Sequence, residues 1–207
     1  MADIDMTTII LTLSAILISA SFHELMHGLV AYKLGDDLAH SQGRISLNPL
    51  RHIDPFLTVV LPLIFLLLGQ APILAAKPVP INASRLKGGD VGMAVVGLAG
   101  PFTNLLLAAV TAIPLNLMTF QPGLGYEALV IFFGVNISLF VFNLLPIPPL
   151  DGSRALYAVA PRALQSIMEQ IEAYGLMFVI LLVSIGGPFL GPVLDTAQEA
   201  VINLLIR

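Results

Sequence analysis

Five stretches of this chain, residues 7–32, 56–76, 91–117, 128–145 and 173–190, run for 18 residues or more, and Glu24 is the only Asp, Glu, Lys or Arg in any of them. Crossing about 30 Å of hydrocarbon takes about 20 helical residues at 1.5 Å each, so such runs are long enough to enter or span a bilayer. In lipid the backbone must satisfy its own hydrogen bonds, which leaves helices or a closed barrel. These runs do not alternate as barrel strands would, so the expected fold is an all-α polytopic membrane protein. Composition agrees: 57% of the 207 residues are hydrophobic and 11% are charged, against about a quarter charged in a soluble domain. Residues 193–206 differ from the five runs, because Asp195, Gln198 and Glu199 interrupt apolar positions 194, 197, 201, 204 and 205. That helical period suits an interfacial helix as well as a span.

No internal repeat or low-complexity linker divides the chain, and residues 1–207 read as a single integral-membrane domain. The first run follows MADIDM, which lacks the positive leader and small-residue cleavage site of a secretory signal, and is read as a retained helix. Nine basic against thirteen acidic residues give a net charge of −4, so no basic face suggests nucleic acid. There is no cysteine, which excludes disulfides, thiolate metal sites and cysteine nucleophiles. Any metal must be held by His, Asp or Glu.

Against that background HELMH, residues 23–27, is costly to place inside an apolar run. H-E-x-x-H on a helix puts His23 and His27 four residues apart on one face, where both imidazoles can share one Zn²⁺, with Glu24 beside them as a base for water. The bland alternative is a set of satisfied polar groups at a helix contact, or a proton relay in a transporter. A catalytic zinc usually has three protein ligands, so a third is needed. Asp151 is the candidate: it sits in NLLPIPPLDG, residues 143–152, where Pro146, Pro148 and Pro149 break the fourth run. An Asp-Gly pair is also a common turn, so Asp151 alone stays open between ligand and turn residue.

HELMH, GLAGPFTN (97–104) and NLLPIPPLDG together resemble the site-2 protease family of intramembrane zinc metalloproteases. GRISLNPLRHIDP (43–55) and AKPVPIN (76–82) resemble its small bacterial and archaeal branch, without PDZ or CBS domains. The resemblance covers about residues 20–155, and the last fifty residues show no family motif. It implies a three-helix catalytic core (an HExxH helix, a GPxxN helix and an LDG helix), to which the remaining apolar runs add an expected re-entrant segment and additional C-terminal helices. It implies one Zn²⁺ per chain held by His23, His27 and Asp151, with Glu24 as general base and an active-site polar role for Asn143. Asn143 could hydrogen-bond substrate or a developing oxyanion, or be a capping or interhelical amide. His52 and Asp54 could support the ligands from behind, or belong to an interfacial loop. Gly97, Gly100 and Asn104 are read as close helix packing around the site.

For His23 and Asp151 to reach one metal, the first and fourth runs must be parallel, with the GLAGPFTN helix antiparallel between them. Lys33, Arg44, Arg51, Lys77, Arg85, Lys87, Arg154 and Arg162 then fall on the site's side, which the positive-inside rule makes cytoplasmic. Because basic residues flank residues 56–76 at both ends, this run is expected to be a hairpin that enters and leaves on that side. The expected function is hydrolysis of a peptide bond in or near a transmembrane segment of a membrane-protein substrate, in the plasma or inner membrane and on the cytoplasmic side. A transporter or metal-handling protein built on the same polar residues is the alternative, and it would place ionisable groups at several depths in several helices.

Overall fold

In a computed structural model that describes residues 5–51, 77–118 and 123–206, all regular structure among the described residues is helical. The elements are α1 (Met6–Lys33), α2 (Leu38–Ser41), α3 (Gly89–Leu117), α4 (Leu124–Leu144), α5 (Gly152–Val159), α6 (Arg162–Ala173) and α7 (Leu176–Leu205), with 3-10 turns at Pro49–Arg51 and Ala83–Arg85. Four of these, α1, α3, α4 and α7, are long and apolar enough to cross a membrane.

Local chemistry sets the helix ends. Asp5 caps α1 by accepting from the Thr8 amide at 2.7 Å, which also holds the Asp5 carboxyl below its usual range. The chain leaves α1 through Gly35, whose φ of 107° favours glycine. Pro146, Pro148 and Pro149 follow the end of α4, where they prevent its continuation. Two prolines lie inside α3 and two inside α7. A long apolar helix tolerates them because neighbouring groups re-satisfy the freed carbonyls.

Contacts along α1, α3 and α4 fix their directions. His27 near the C-terminal end of α1 meets Val96 early in α3, and Ser19 lies by Asn104 further along α3, so the two run antiparallel. Asn104 pairs with Asn136 and Phe102 with Phe140, so α3 and α4 are antiparallel as well. Hence α1 and α4 are parallel with α3 between them, the arrangement expected from the sequence. In lipid such a bundle is held by close packing more than by hydrophobic exclusion. Ala108 and Ala112 of α3 pack with Phe133, Ile137 and Val141 of α4, and the C-terminal half of α7 lies against this cluster through Leu194, Ala197 and Val201. Residues 193–205 are therefore the end of one continuous helix packed on the bundle, with Pro188 and Pro192 inside α7.

The short α5 and α6 follow the site. Arg154 of α5 pairs with both carboxylate oxygens of Glu172 on α6, and Tyr157 donates to Glu169, which pushes the phenol above its usual range. The expected hairpin at 56–76 lies outside the described residues, as do His52 and Asp54. The chain on either side of them is held by one side chain: Arg44 donates to the carbonyls of Arg51 (2.5 Å) and Lys77 (2.9 Å).

Candidate metal centre

HELMH occupies the C-terminal half of α1 and turns His23 and His27 toward α3; both are buried, at 7% and 5% exposure. Asp151 arrives from the proline-broken turn after α4. Gly152 permits this turn, because a Cβ there would come within 2.2 Å of the Leu144 carbonyl oxygen. Across 128 residues of sequence, Asp151 Oδ2 lies 2.9 Å from His23 Nε2 and 3.3 Å from His27 Nε2, and the two Nε2 atoms are 3.0 Å apart.

Hydrogen bonding on the far side of each ring determines what these atoms offer. His27 Nδ1 donates to the Val96 carbonyl at 2.7 Å and His23 Nδ1 donates to Asn104 Oδ1 at 2.6 Å. With the hydrogens on Nδ1, both Nε2 atoms present lone pairs, and Asp151 Oδ2 presents another. Three electron-rich atoms converging in this way repel unless a cation sits between them. A tetrahedral zinc with bonds of about 2.0–2.1 Å would separate its donors by about 3.3–3.4 Å, close to the observed spacings. The donor set of two imidazoles and a carboxylate, with room for a fourth ligand, is one that suits catalytic zinc.

The floor of the site is glycine. A Cβ on Gly100 would approach His27 Nε2 to 2.4 Å and His23 Nε2 to 2.5 Å, and one on Gly97 would meet the Asp151 carbonyl oxygen at 2.9 Å. The expected role of these glycines as close-packing residues is therefore specific: Gly100 brings the α3 backbone against the two imidazoles, and Gly97 brings it against the Asp151 main chain and Arg154. Asn104 goes beyond packing, since its amide oxygen touches His23. Asn136, which follows it, carried no motif, and its only sequence signal is an amide amid apolar neighbours in the middle of α4.

Glu24 faces a cavity of about 260 Å³ whose lining includes His27, Val79, Met93, Asp151 and Arg154. Its Oε2 accepts from the Val79 amide at 2.7 Å. Pro78 and Pro80 have no amide hydrogen, so Val79 holds the one main-chain donor among residues 78–80. The segment is pinned at both ends: Arg44 donates to Lys77 O, and Asp36, fully buried, accepts from Asn82 N at 2.6 Å. Gly28, next to His27, leaves space for the Val79 side chain to seat on α1. Asn143 does not join the cluster; its Nδ2 donates to Leu139 O at 3.0 Å, one turn back on α4.

The fold and this centre define a multi-pass membrane protein with a group of side chains that could hold a metal ion beside the Glu24 carboxylate. The sequence profile of peptidase family M50 matches residues 123–186. The chain is 37% identical over 200 residues to YwhC of Bacillus subtilis (strain 168), covering 91% of this chain and 88% of that protein. It is 28% identical over 193 residues to Rip2 of Mycobacterium tuberculosis (strain H37Rv), covering 90% and 69%. With MJ0611 of Methanocaldococcus jannaschii it shares 38% identity over 136 residues, covering 65% and 63%. All three are named "Putative zinc metalloprotease". No solved structure gives a significant match. The chain belongs to peptidase family M50, the site-2 protease family, and is a zinc metalloprotease. This likeness extends past residue 155, into a region where the sequence displayed no recognisable motif, and it leaves the transporter alternative without support.

Proposed function

We propose that the protein cleaves peptide bonds within or near transmembrane segments of other membrane proteins, on the cytoplasmic side of the cell membrane. The observation that carries this reading is the convergence of His23, His27 and Asp151 at a cavity lined by His27, Asp151 and Glu24, in a bundle of helices long and apolar enough to span a membrane. His23 is ten residues before Lys33, about 15 Å along the helix, which sets the site below the membrane surface. The basic residues Lys33, Arg85, Lys87, Arg154 and Arg162 gather at the same end of the bundle, and this supports a cytoplasmic orientation.

In this reading His23, His27 and Asp151 hold the zinc. Zinc bound there supplies Lewis-acid chemistry, polarising the scissile carbonyl and lowering the pKa of water. Glu24 takes the proton from the attacking water and delivers it to the leaving amine. The Val79 amide holds one Glu24 oxygen at 2.7 Å and so fixes the carboxylate at the edge of the cavity. A substrate helix must unwind locally to present its peptide bond, so helix-weakening residues are expected near the cut.

The test uses purified full-length protein in bilayer discs with a panel of single-span membrane proteins, reading product masses and bound zinc. Wild type should cut in or beside the span. Glu24→Gln should keep about one zinc per chain and lose cleavage by about 10²-fold or more. Turnover by Glu24→Gln near the wild-type rate would remove Glu24 as the base, and cuts confined to soluble regions would remove the intramembrane assignment.

A further inference from the structure

Asn136 Nδ2 lies 2.8 Å from the Phe132 carbonyl oxygen, one turn back on α4. A carbonyl oxygen can only accept, so the amide nitrogen of Asn136 must point there and its Oδ1 must point away, toward Asn104. Asn104 answers with its own nitrogen: Nδ2 donates to Asn136 Oδ1 at 2.9 Å and lies 3.5 Å from the Ser19 carbonyl oxygen. That orientation leaves Asn104 Oδ1 to face His23 Nδ1 at 2.6 Å. Reversing Asn104 would set oxygen against oxygen at Asn136. Asn104 and Asn136 are both 0% exposed, so solvent cannot supply a substitute partner.

We infer that Asn104 and Asn136 are positioning residues which fix the tautomer of His23, transmitting the polarity of the Phe132 carbonyl through two side-chain amides so that His23 Nε2 is left bare for the metal. The inference rests on the reading of His23 as a zinc ligand. It also separates the two histidines. His27 is oriented by a main-chain carbonyl, Val96 O, which no side-chain substitution removes. His23 depends on one side chain from α3 and one from α4. Its lone pair is correctly aimed only when α1, α3 and α4 are in register, so metal binding is coupled to assembly of the three helices. Loss of an outer hydrogen-bond partner of this kind typically weakens metal binding about 10–100-fold.

The experiment uses the full-length protein in detergent micelles, with zinc as the probe. Zinc affinity is measured by competition with a chromophoric chelator for wild type, Asn104→Leu, Asn104→Asp, Asn136→Leu and His23→Ala. Ring-nitrogen NMR of the metal-free, ¹⁵N-histidine-labelled protein reports the tautomer directly, with His23→Ala assigning the signal. Wild-type His23 should carry its hydrogen on Nδ1, and Asn136→Leu should show a mixture of tautomers. The zinc dissociation constant should rise about 10–100-fold in Asn104→Leu and about 10-fold in Asn136→Leu. Asn104→Asp, which keeps an oxygen toward Nδ1, should lie much nearer wild type than Asn104→Leu does. A packing role alone would leave the tautomer unmoved. If Asn104→Leu does not fold, the wild-type tautomer and Asn136→Leu decide. A hydrogen on Nε2 with none on Nδ1 in wild type overturns the relay, as does wild-type affinity in Asn104→Leu and Asn136→Leu while His23→Ala binds weakly. Wild-type affinity in His23→Ala instead overturns the ligand reading, and the relay's role in metal binding falls with it.

Discussion

Helices α3 and α7 are nearly the same length, 29 and 30 residues, each contains two prolines, and each is apolar enough to span a membrane. Yet 39% of the most apolar 18-residue stretch of α3 is buried within the protein, against 6% for α7. α3 supplies no proposed ligand, but its Gly97 and Gly100 bring backbone under the site, its Val96 carbonyl orients His27 and its Asn104 touches His23. α7 carries Asp195 and Glu199, both exposed, and touches the bundle mainly through its C-terminal half. Apolar length therefore reports residence in the membrane and nothing about proximity to the chemistry. Buried amides report the latter, and so do glycines pressed against another element, as Gly97 and Gly100 are, whereas Gly187 and Gly191 of α7 meet nothing within 4 Å.

The sharpest way to break this contrast is one methyl group on α3. Gly100→Ala should abolish stable zinc binding and cleavage together, since its Cβ would intrude within 2.6 Å of both imidazoles from backbone that cannot easily retreat. Metal analysis of the folded variant checks this, and a normally loaded Gly100→Ala would show that α3 is not the floor of the site. A smaller effect is expected from the strap over Glu24. Asp36→Ala removes the buried acceptor for the Asn82 and Leu38 amides, and buried unsatisfied donors cost about 1–3 kcal/mol. Cleavage should fall several-fold with zinc content unchanged, seen in parallel turnover and metal measurements. At the other extreme, Leu181→Ala on α7 faces outward at 52% exposure. It should leave zinc content and turnover unchanged and shift stability by no more than about 0.5 kcal/mol; a loss of zinc there would erase the distinction between the two helices.

What the sequence made legible follows the same division. The apolar runs marked the four helices among the described residues that are long and apolar enough to span, and HELMH with the LDG turn marked the ligand candidates, because helical spacing and a proline break are local properties. The antiparallel α3 between parallel α1 and α4 followed from requiring His23 and Asp151 to meet. The role of Asn104 was legible only as packing, and Asn136 and Val79 were not singled out, since their significance depends on how one helix or segment registers against another. The same limit explains residues 193–206: amphipathic spacing fits an interfacial helix and a packed helix end equally well, and only the contacts of Leu194, Ala197 and Val201 distinguish them. His52 and Asp54, outside the described residues, keep the standing they had from sequence.

The central proposal is that a carboxylate far along the chain completes the site begun by HELMH. Its most direct test is the zinc content and affinity of Asp151→Ala beside wild type, each purified as the full chain and equilibrated against a metal buffer. The account predicts about one zinc per wild-type chain, and for Asp151→Ala a fall in affinity of at least 100-fold together with loss of cleavage, because two imidazoles alone make an incomplete site. An Asp151→Ala protein that binds zinc as wild type does and still cleaves would contradict it.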